Sequence, residues 1–169
     1  EDTNPPTWTT AANNLDRTVE CSDGAALAAA QALVPVAADL CDGTLVPVKI
    51  SGAFVVGSCP QEGTYTNTWT VTDDCGNTST AEQTVFVQDL TAPAFTFVPA
   101  DATVNCEAIP SMGMPSATDN CDNSVTITFA GVSQSSGSCA SGGTVTRRWI
   151  ATDNCGNTAL AEQMLTVQD

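Results

Sequence analysis

The sequence predicts an all-β fold of two tandem β-sandwich domains, with a short helix in the first. The segment Thr72–Thr78 reads Thr-Asp-Asp-Cys-Gly-Asn-Thr, and about 80 residues later Thr152–Thr158 reads Thr-Asp-Asn-Cys-Gly-Asn-Thr. Short runs of alternating apolar and polar residues surround both segments and are separated by turn-forming residues, which is the pattern of a sandwich. We therefore divide the 169 residues into a first copy, residues 1–89, and a second copy, residues 90–169.

Four cysteines stand at matching places in each copy, and we refer to them as the first to the fourth. In chain order they are Cys21, Cys41, Cys59 and Cys75 in the first copy, and Cys106, Cys121, Cys139 and Cys155 in the second. Domains of this size bury limited apolar surface and often depend on covalent links. The even count and repeated spacing predict disulfides, and therefore an extracellular or cell-surface location. Zinc is disfavoured because the sequence has no C-x-x-C pair and no histidine.

The order of the strands predicts which cysteines pair. If chain direction alternates from strand to strand, the second and fourth cysteines lie at one end of a copy, and the first and third lie near the other. The predicted bridges are therefore Cys41–Cys75, Cys21–Cys59, Cys121–Cys155 and Cys106–Cys139. Four cysteines allow three connectivities in each copy, so the spacing by itself leaves the pairing open.

An Ala-rich insert predicts a helix in the first copy only. The segment Ser22–Leu33 is rich in alanine, the best helix former, and Ser22 or Asp23 is a suitable N-cap. We expect the helix to end before Pro35, because the residue before a proline avoids the helical conformation. The matching segment of the second copy contains proline and glycine, so we expect it to be extended.

The clearest strands follow the third cysteine of each copy, and they place Trp69 and Trp149 on the face that we expect to form the core. An earlier apolar run is one residue out of phase between the copies: Val46, Val48 and Ile50 in the first, and Val125, Ile127 and Phe129 in the second. A one-residue slip would turn every side chain to the other face. We therefore expect a bulge or a shifted turn near Gly43 that restores the phase.

Four motifs in combination resemble a known family. They are Thr-Val-Glu-Cys at Thr18–Cys21, Thr-Asp-Asn-Cys-Asp at Thr118–Asp122, Trp-x-Ala-Thr-Asp-Asn-Cys-Gly-Asn at Trp149–Asn157, and Val-Gln-Asp at Val167–Asp169. The chain resembles tandem hyalin-type (HYR-like) repeats, especially the cysteine-bearing form of large bacterial surface and secreted proteins. This resemblance implies immunoglobulin-like sandwiches that serve in adhesins, stalks and extracellular fibres, without enzymatic activity. The first copy departs from the pattern by its Ala-rich insert and by Leu40.

The charge of the chain argues against two classes of partner. The formal net charge is −15, with only four lysine and arginine residues. Nucleic acid and anionic membranes bind basic patches, so we expect neither as a partner. No apolar run approaches the roughly 18 residues of a membrane span. The two ends of the chain stand at the same phase of the repeat, so we expect copies or neighbouring repeats to stack end to end.

Acidic residues predict a calcium site at the end of each copy where the linker enters. Strand order brings together the linker and two turns, whose acids are Asp2, Asp39, Asp42, Asp73 and Asp74 in the first copy, and Asp89, Asp119, Asp122 and Asp153 in the second. Calcium binds about six to eight oxygen ligands. The alternative is that these residues form the turns by bonding to their own backbone, with Gly76 and Gly156 permitting the bend. Both interpretations stay open at this point.

Glycan attachment is a further prediction, and catalysis is not expected. Thr66, Thr68 and Thr70 lie in a row on one strand face, and Asn77 begins an N-x-S/T sequon. Threonine rows are also common in sheets for packing reasons. The sequence has no histidine, and no free cysteine if the bridges form, so the common catalytic base and the most reactive nucleophile are missing.

These features predict a structural or adhesive module of an extracellular bacterial array or fibre. Disulfide-stabilised sandwiches would stack end to end, with calcium or covalent glycan as stiffening elements. The alternative is a glycan- or protein-binding module of a secreted protein, which would use exposed turns or the Ala-rich segment. The sequence offers no aromatic cluster outside the predicted core on which sugars would stack.

Overall fold

The computed structural model describes residues 2–136 and 142–168. The chain divides into two compact units, of which the first ends at Asp89 and the second begins at Leu90. Both units consist mainly of β-strands arranged in one larger and one smaller sheet. The predicted all-β class of two sandwich domains is therefore confirmed.

The first unit has one helix among its strands. In chain order the elements are β1 (Thr7–Trp8), β2 (Arg17–Glu20), α1 (Gly24–Gln31), β3 (Ala37–Ala38), β4 (Val48–Ile50), β5 (Val55–Val56), β6 (Gly63–Thr72) and β7 (Thr78–Gln88). The larger sheet has the order β2-β7-β6-β4, and β5 also pairs with β6. Strand β2 runs parallel to β7, whereas β6 pairs antiparallel with β7. Strands β1 and β3 form the smaller sheet.

The second unit repeats this plan. Its elements are β8 (Ala94–Phe97), β9 (Ala102–Asn105), a 3-10 turn at Cys106–Ala108, β10 (Ser116–Thr118), β11 (Thr126–Ser136), β12 (Gly143–Thr152) and β13 (Thr158–Gln168). The larger sheet has the order β11-β12-β13-β9, and β8 pairs with β10. Strand β9 runs parallel to β13, as β2 does to β7. The segment that matches α1 is extended, as predicted.

The predicted helix forms and contributes to the core of the first unit. The Asp23 carboxylate caps it by accepting a hydrogen bond from the backbone N–H of Ala26 at 2.8 Å, which satisfies one of the unpaired donors at a helix N-terminus. Ala30 is buried against Val19, Val85 and Val87. Packing is needed here, because an isolated helix this short is marginal in water.

The two tryptophans are buried in the larger sheets, as predicted. Trp69 on β6 and Trp149 on β12 expose 4% and 0% of their surface. Leu165 on β13 is also buried, with Val145 and Val167 beside it. Burying one such aliphatic side chain contributes about 1.5–3 kcal/mol relative to leaving it exposed.

A buried glutamine on the last strand joins each larger sheet to the chain segments that cover it. The Gln83 amide nitrogen donates to the carbonyl oxygens of Leu15 and Ala30 at 3.0 and 2.8 Å. Its oxygen accepts from the Asn67 amide at 3.0 Å, and Asn67 also donates to the Gln31 side chain at 2.8 Å. Gln83 and Asn67 are both fully buried, so these bonds satisfy groups that would be costly to leave unpaired.

The second unit has the same glutamine with a different neighbour. Gln163 donates to the carbonyl oxygen of Ala100 at 2.8 Å and accepts from the Arg147 guanidinium at 3.3 Å. Arg147 also donates to the carbonyl oxygens of Pro110 and Ser111 at 2.7 and 3.4 Å. A longer side chain therefore reaches the extended segment that stands where the first unit has its helix.

The prediction that a bulge or a shifted turn near Gly43 restores the phase is wrong. Val48 of β4 pairs with Thr70 as Thr128 of β11 pairs with Ile150, so the register is the same and the out-of-phase residues face outward. The exposed fractions are 74% for Val46, 62% for Val48 and 66% for Ile50. A register shift occurs instead in β11, between Phe129 and Gly131.

In β4 the apolar residues face outward and Lys49 faces inward, and the contacts of Lys49 account for this arrangement. Its side chain points inward, where the ammonium group donates to the carbonyl and side-chain oxygens of Gln31. It also lies 5.7 Å from the ring centroid of Trp69, within the range of a cation–π contact. Burial lowers the pKa of Lys49. The inward lysine thus has partners for its charge, and pairing with β6 fixes the register.

We expect Gln83→Met to destabilise the first unit by about 1–3 kcal/mol, because the carbonyls of Leu15 and Ala30 lose their donor while remaining buried. Methionine has a similar size but cannot donate a hydrogen bond. Urea unfolding measures the change. Glu82→Met is the matched control, since Glu82 is exposed on the same strand and should change stability by less than about 0.5 kcal/mol. Equal effects of the two variants would contradict the role of Gln83.

Candidate functional site

The turns that carry the second and fourth cysteines meet in each unit. In the first unit the Asp42 carboxylate accepts a hydrogen bond from the backbone N–H of Asp74 at 3.1 Å. In the second unit the Asp122 carboxylate accepts from the backbone N–H of Asn154 at 2.8 Å. Strand order therefore does bring these turns to the same end of each unit.

An aspartate and an asparagine close the turn of the fourth cysteine. The Asp73 carboxylate accepts from both the backbone and the side-chain amide of Asn77, each at 2.7 Å. Asp153 and Asn157 repeat both bonds at 2.9 Å. Each turn is thus held by two hydrogen bonds to a carboxylate, which are stronger than bonds between neutral groups.

Other predicted ligands also serve their own turns. Asp39 accepts from the backbone N–H of Cys41 at 2.8 Å, and Asp119 accepts from that of Cys121 at 2.8 Å. Gly76 has a φ of 91°, which a residue with a side chain would adopt only under strain. These contacts support the turn-forming interpretation of the acids. Asp89 is buried at the end of the first unit.

The environment of Asp73 favours its charged form. Burial raises the pKa of this carboxyl, but the hydrogen bonds from Asn77, Cys75 and Gly76 outweigh burial, so the pKa lies below its ordinary value. Asp73 exposes only 6% of its surface. The turn is therefore tied to the ionised state of one buried carboxylate.

One group of potential metal ligands in the first unit comes from two separate segments of the chain, and we call it the donor group. Asp2, Asp39 and Cys41 each offer an atom within 4.8 Å of the other two. The Asp2 Oδ2 atom is shielded from solvent and has no hydrogen-bond partner among the described residues. A hydrogen bond to the Asp2 carboxylate, followed by the negative charge of that group, raises the pKa of the Cys41 thiol. The thiol therefore stays protonated beside Asp2.

This donor group borders a cavity of about 280 Å³ in the first unit. Its lining residues are Asp2, Asn4, Pro5, Thr7, Ala38, Asp39, Leu40 and Cys41. Sequence patterns did not predict this cavity, because its walls come from the linker and from loops without a periodic pattern.

The donor group fits calcium only in part. Two carboxylates suit a hard cation, but they supply fewer than the roughly six to eight oxygens that Ca²⁺ takes. The Cys41 thiol is a soft ligand that Ca²⁺ does not select. Both oxygens of Asp73 already bond to Asn77. A cation at Asp2 and Asp39 would therefore complete its shell with water.

The oxidation state of the cysteines differs from the prediction. The disulfide-bonded residues are Cys21, Cys59, Cys121 and Cys155. Cys41, Cys75 and Cys106 are free within the described part of the chain. The predicted bridge Cys41–Cys75 is therefore wrong, whereas the predicted Cys106–Cys139 bridge involves Cys139, which lies outside the described residues. For the four bonded cysteines, the proposed pairing stays a prediction.

Contact between the two turns does not by itself produce a Cys41–Cys75 bridge. The turns touch through Asp42 and Asp74, yet both cysteines are exposed and the Cys41 thiol lies beside Asp2. A disulfide requires Cβ atoms about 3.5–4.5 Å apart that face one another. Placement at the same end of a unit is a weaker condition than this.

The predicted glycosylation sites lie in different environments. Thr66 is exposed on β6, whereas Thr68 and Thr70 are half-buried. The Asn77 side-chain amide donates to the backbone oxygen of Asp2 at 3.2 Å and to Asp73. Glycan on Asn77 would compete with these two bonds. Modification of the threonines stays a prediction.

A family model described as an HYR-like domain with four cysteines matches residues 9–87 and 95–167. These two regions together cover most of the chain. The chain belongs to this HYR-like family. The predicted tandem HYR-like repeats are therefore confirmed, and the two units are HYR-like domains. A search of curated proteins found no match.

Several solved extracellular structures show a distant similarity to the HYR-like chain. A Drosophila N-cadherin EC1-4 structure is 12% identical with a TM-score of 0.41, over 98% of this chain and 50% of that one. A protocadherin GammaB4 extracellular domain is 14% identical with a TM-score of 0.40, over 99% and 35%. A protocadherin gammaB7 EC3-6 structure is 12% identical with a TM-score of 0.41, over 97% and 52%.

The HYR-like chain thus spans about half or less of the length of these proteins. Similarity of this degree carries no inference about binding or metal ions. Among the described residues, no helix is long and apolar enough to cross a membrane.

We expect Asp73→Asn to lower stability near neutral pH and to have a much smaller effect in acid. The folded-state pKa of Asp73 is lowered, so its contribution is present above the unfolded pKa of about 3.9 and is lost as pH falls through the folded pKa. Asparagine resembles the protonated acid. Urea unfolding of both proteins at about pH 7 and about pH 2.5 measures the difference.

The matched control for this pH effect is Asp74→Asn, because Asp74 is the exposed neighbour in the same turn. It should have little effect at either pH. If Asp73→Asn caused the same loss at both pH values, the charged state of Asp73 would not be what holds the turn.

Proposed function

We propose that this pair of HYR-like domains is a structural or adhesive module of an extracellular bacterial array or fibre. The observation that carries this proposal is that the two units repeat one strand plan, including the parallel pairing of the last strand with β2 or β9. Membership of the HYR-like family supports it. A chain made of equivalent units can join further copies end to end through surfaces of the same kind.

The disulfides support an extracellular or cell-surface location. Cys21, Cys59, Cys121 and Cys155 are oxidised, and disulfides persist mainly in oxidising compartments. The formal net charge of −15 supports solubility of a crowded surface layer. Repulsion between chains of the same charge also opposes non-specific association. Chains would therefore join end to end only through complementary surfaces.

We assign no catalytic role to the acids of the turns. The carboxylates of Asp73 and Asp153 accept hydrogen bonds from backbone N–H groups of their own turns, and that of Asp122 accepts from the backbone N–H of Asn154 in the facing turn. A general acid or base must instead present a free carboxyl group to a substrate. Nor does the cavity favour a sugar-binding module, since its lining within the described residues contains no aromatic side chain.

The proposed function predicts that purified chains associate end to end into strings. Electron microscopy of the full chain under oxidising conditions, with and without millimolar Ca²⁺, tests this directly. Sedimentation analysis would show species heavier than the 17.3 kDa monomer. Compact single particles under every condition, at all accessible concentrations, would contradict a role in an array.

Calcium is proposed as a weak stiffening ligand at Asp2 and Asp39. Extracellular calcium modules bind at about 10⁻⁴–10⁻³ M, and a site completed by water belongs in that class. Calcium at about ten times its dissociation constant should stabilise the first unit by about 1.4 kcal/mol, measured by urea unfolding. The Asp2→Asn/Asp39→Asn variant should lose this gain, whereas the Asp74→Asn control should keep it. An equal gain in all three proteins would assign calcium to another place.

A further inference from the structure

Strand β11 lies at the open edge of the larger sheet in the second unit. That sheet has the order β11-β12-β13-β9, so within the described residues β11 pairs on one side only, with β12. Nine of the eleven residues of β11 are exposed and none is buried, whereas every second residue of β12 from Val145 onward is buried. The backbone N–H and C=O groups on the outer side of β11 are therefore available to pair with another strand.

The matching edge of the first unit is protected by features that β11 lacks. There the edge consists of two short strands, β4 with three residues and β5 with two, and the segment between them is not in a strand. Lys49 of β4 points inward, and both short strands and inward charges oppose pairing between sheet edges. Strand β11 extends over eleven residues, contains no proline or charged residue, and is interrupted only by its bulge between Phe129 and Gly131.

The absence of charge in β11 indicates which partner this edge can accept. The sequence contains 19 acidic and four basic residues, yet none of them lies between Asp122 and Arg147. Two copies of a chain with a net charge of −15 repel each other, and this repulsion is weakest where uncharged surfaces approach, because it falls with distance. A second β11 therefore suits this edge, since it brings no like charge directly opposite.

Two apolar side chains on the core-facing side of β11 remain partly uncovered. Phe129 pairs with the buried Trp149, and Val132 pairs with the buried Arg147. Directly paired residues have their side chains on the same face of a sheet, so Phe129 and Val132 face the core side, yet they expose 44% and 52% of their surface. The Phe129 ring lies 6.1 Å from that of Trp149 between centroids, so the core reaches the sheet edge here. A strand added to this edge would cover both residues.

We propose that β11 of one chain pairs antiparallel with β11 of a second copy, so that two larger sheets become one continuous sheet. The contact is isologous, because the same surface of each chain faces its copy. It goes beyond the proposed end-to-end assembly, since it uses the edge of a sheet rather than the end of a unit.

The bulge and the two faces of β11 define the register of this pair. When Phe129 stands opposite Val132 of the second copy, residues 126–129 face residues 132–135 on both sides of the two-fold axis. Both bulges then lie at the centre, where they interrupt neither regular segment. Core-facing residues stand opposite core-facing ones, and the outward-facing Thr128 stands opposite the outward-facing Ser133. A shift by one residue would place opposite faces against each other.

The test combines sedimentation with hydrogen–deuterium exchange on the full chain, with exposed thiols blocked so that disulfide exchange does not contribute. We expect dimers to form as the concentration rises, and outward amides of β11 to exchange about tenfold more slowly in the dimer. Peptides from β4, the matching edge of the first unit, should show no such change. Chains that stay monomeric at all accessible concentrations, or dimers in which β11 exchanges as fast as in the monomer, overturn the proposal.

Two variants at the same exposed positions test the register. In Thr128→Glu/Ser133→Glu the two-fold axis places like charges opposite each other twice, so we expect the dissociation constant of the dimer to rise at least about fivefold. Thr128→Lys/Ser133→Glu places opposite charges there and leaves the net charge unchanged, so its dimer should persist. Equal dissociation constants for these two variants overturn the register.

A third variant controls for net charge alone. Thr66→Glu/Thr80→Glu adds the same two negative charges at exposed positions of the first unit, and its dimer should persist. Circular dichroism and thermal unfolding check that all three variants fold. A loss of dimer in this control equal to that in Thr128→Glu/Ser133→Glu overturns the assignment to β11.

The outcome for the strand pairing is separable from that for the proposed function. If electron microscopy shows strings while the β11 amides stay unprotected, the pairing is overturned and end-to-end assembly stands. Dimers with protected β11 amides but without strings support the pairing and contradict a role in an array. Monomers whose β11 amides become protected only when a different protein is added overturn self-pairing and assign this edge to a foreign strand.

Discussion

The fold of each unit depends on one buried glutamine that supplies hydrogen bonds from the larger sheet to the segments covering it. Gln83 and Gln163 stand at matching places on β7 and β13, and each donates to carbonyl oxygens of the covering chain. Buried carbonyls must find donors, and irregular segments cannot supply them to one another as strands do. A neutral amide meets this need without the desolvation cost of a buried charge. Because the bonds run to backbone oxygens, they place few demands on the sequence of the covering segment.

Because the glutamine bonds to backbone oxygens, the same strand arrangement can be covered by a helix in one unit and by an extended segment in the other. In the first unit the covering segment is α1, and the Asn67 side chain reaches Gln31, the last residue of that helix. In the second unit the cover is extended, and Arg147 reaches the carbonyls of Pro110 and Ser111. The side chain beside the glutamine changes with the cover, while the glutamine keeps its role. A second repeated contact, from Asp16 or Asp101 to a backbone N–H of the last strand, anchors the chain before β2 or β9.

The sequence predicted the features that depend on repetition and local propensity, and it failed where side-chain partners decide the outcome. The helix, the buried tryptophans and the meeting of the turns follow from composition, alternation and strand order. The outward direction of the apolar residues in β4 could not be predicted in this way. A pattern of apolar residues does not reveal that Lys49 has inward partners, which are the Gln31 oxygens and the Trp69 ring. The free thiols at Cys41 and Cys75 were missed because strand order predicts only that two cysteines lie at the same end of a unit, whereas a disulfide also requires a narrow range of distance and angle. Asn67 and Arg147 did carry a signal, since a polar residue occupied the core-facing side of the clearest strand in both copies.

The acidic turns acquire a clear role once their hydrogen bonds are considered together with the cysteines they carry. A carboxylate that accepts two bonds within four residues fixes the turn without any metal, as Asp73 and Asp153 do. A fixed turn presents its cysteine in nearly the same place in every copy, and a disulfide tolerates little error in distance or angle. Beside one of these turns, a hydrogen bond with the Asp2 carboxylate raises the pKa of the Cys41 thiol, which disfavours the reactive thiolate form. The hydrogen bonds of these carboxylates are the same in both units although the cysteines differ in oxidation state, so the carboxylates rather than disulfides determine the conformation of the turns.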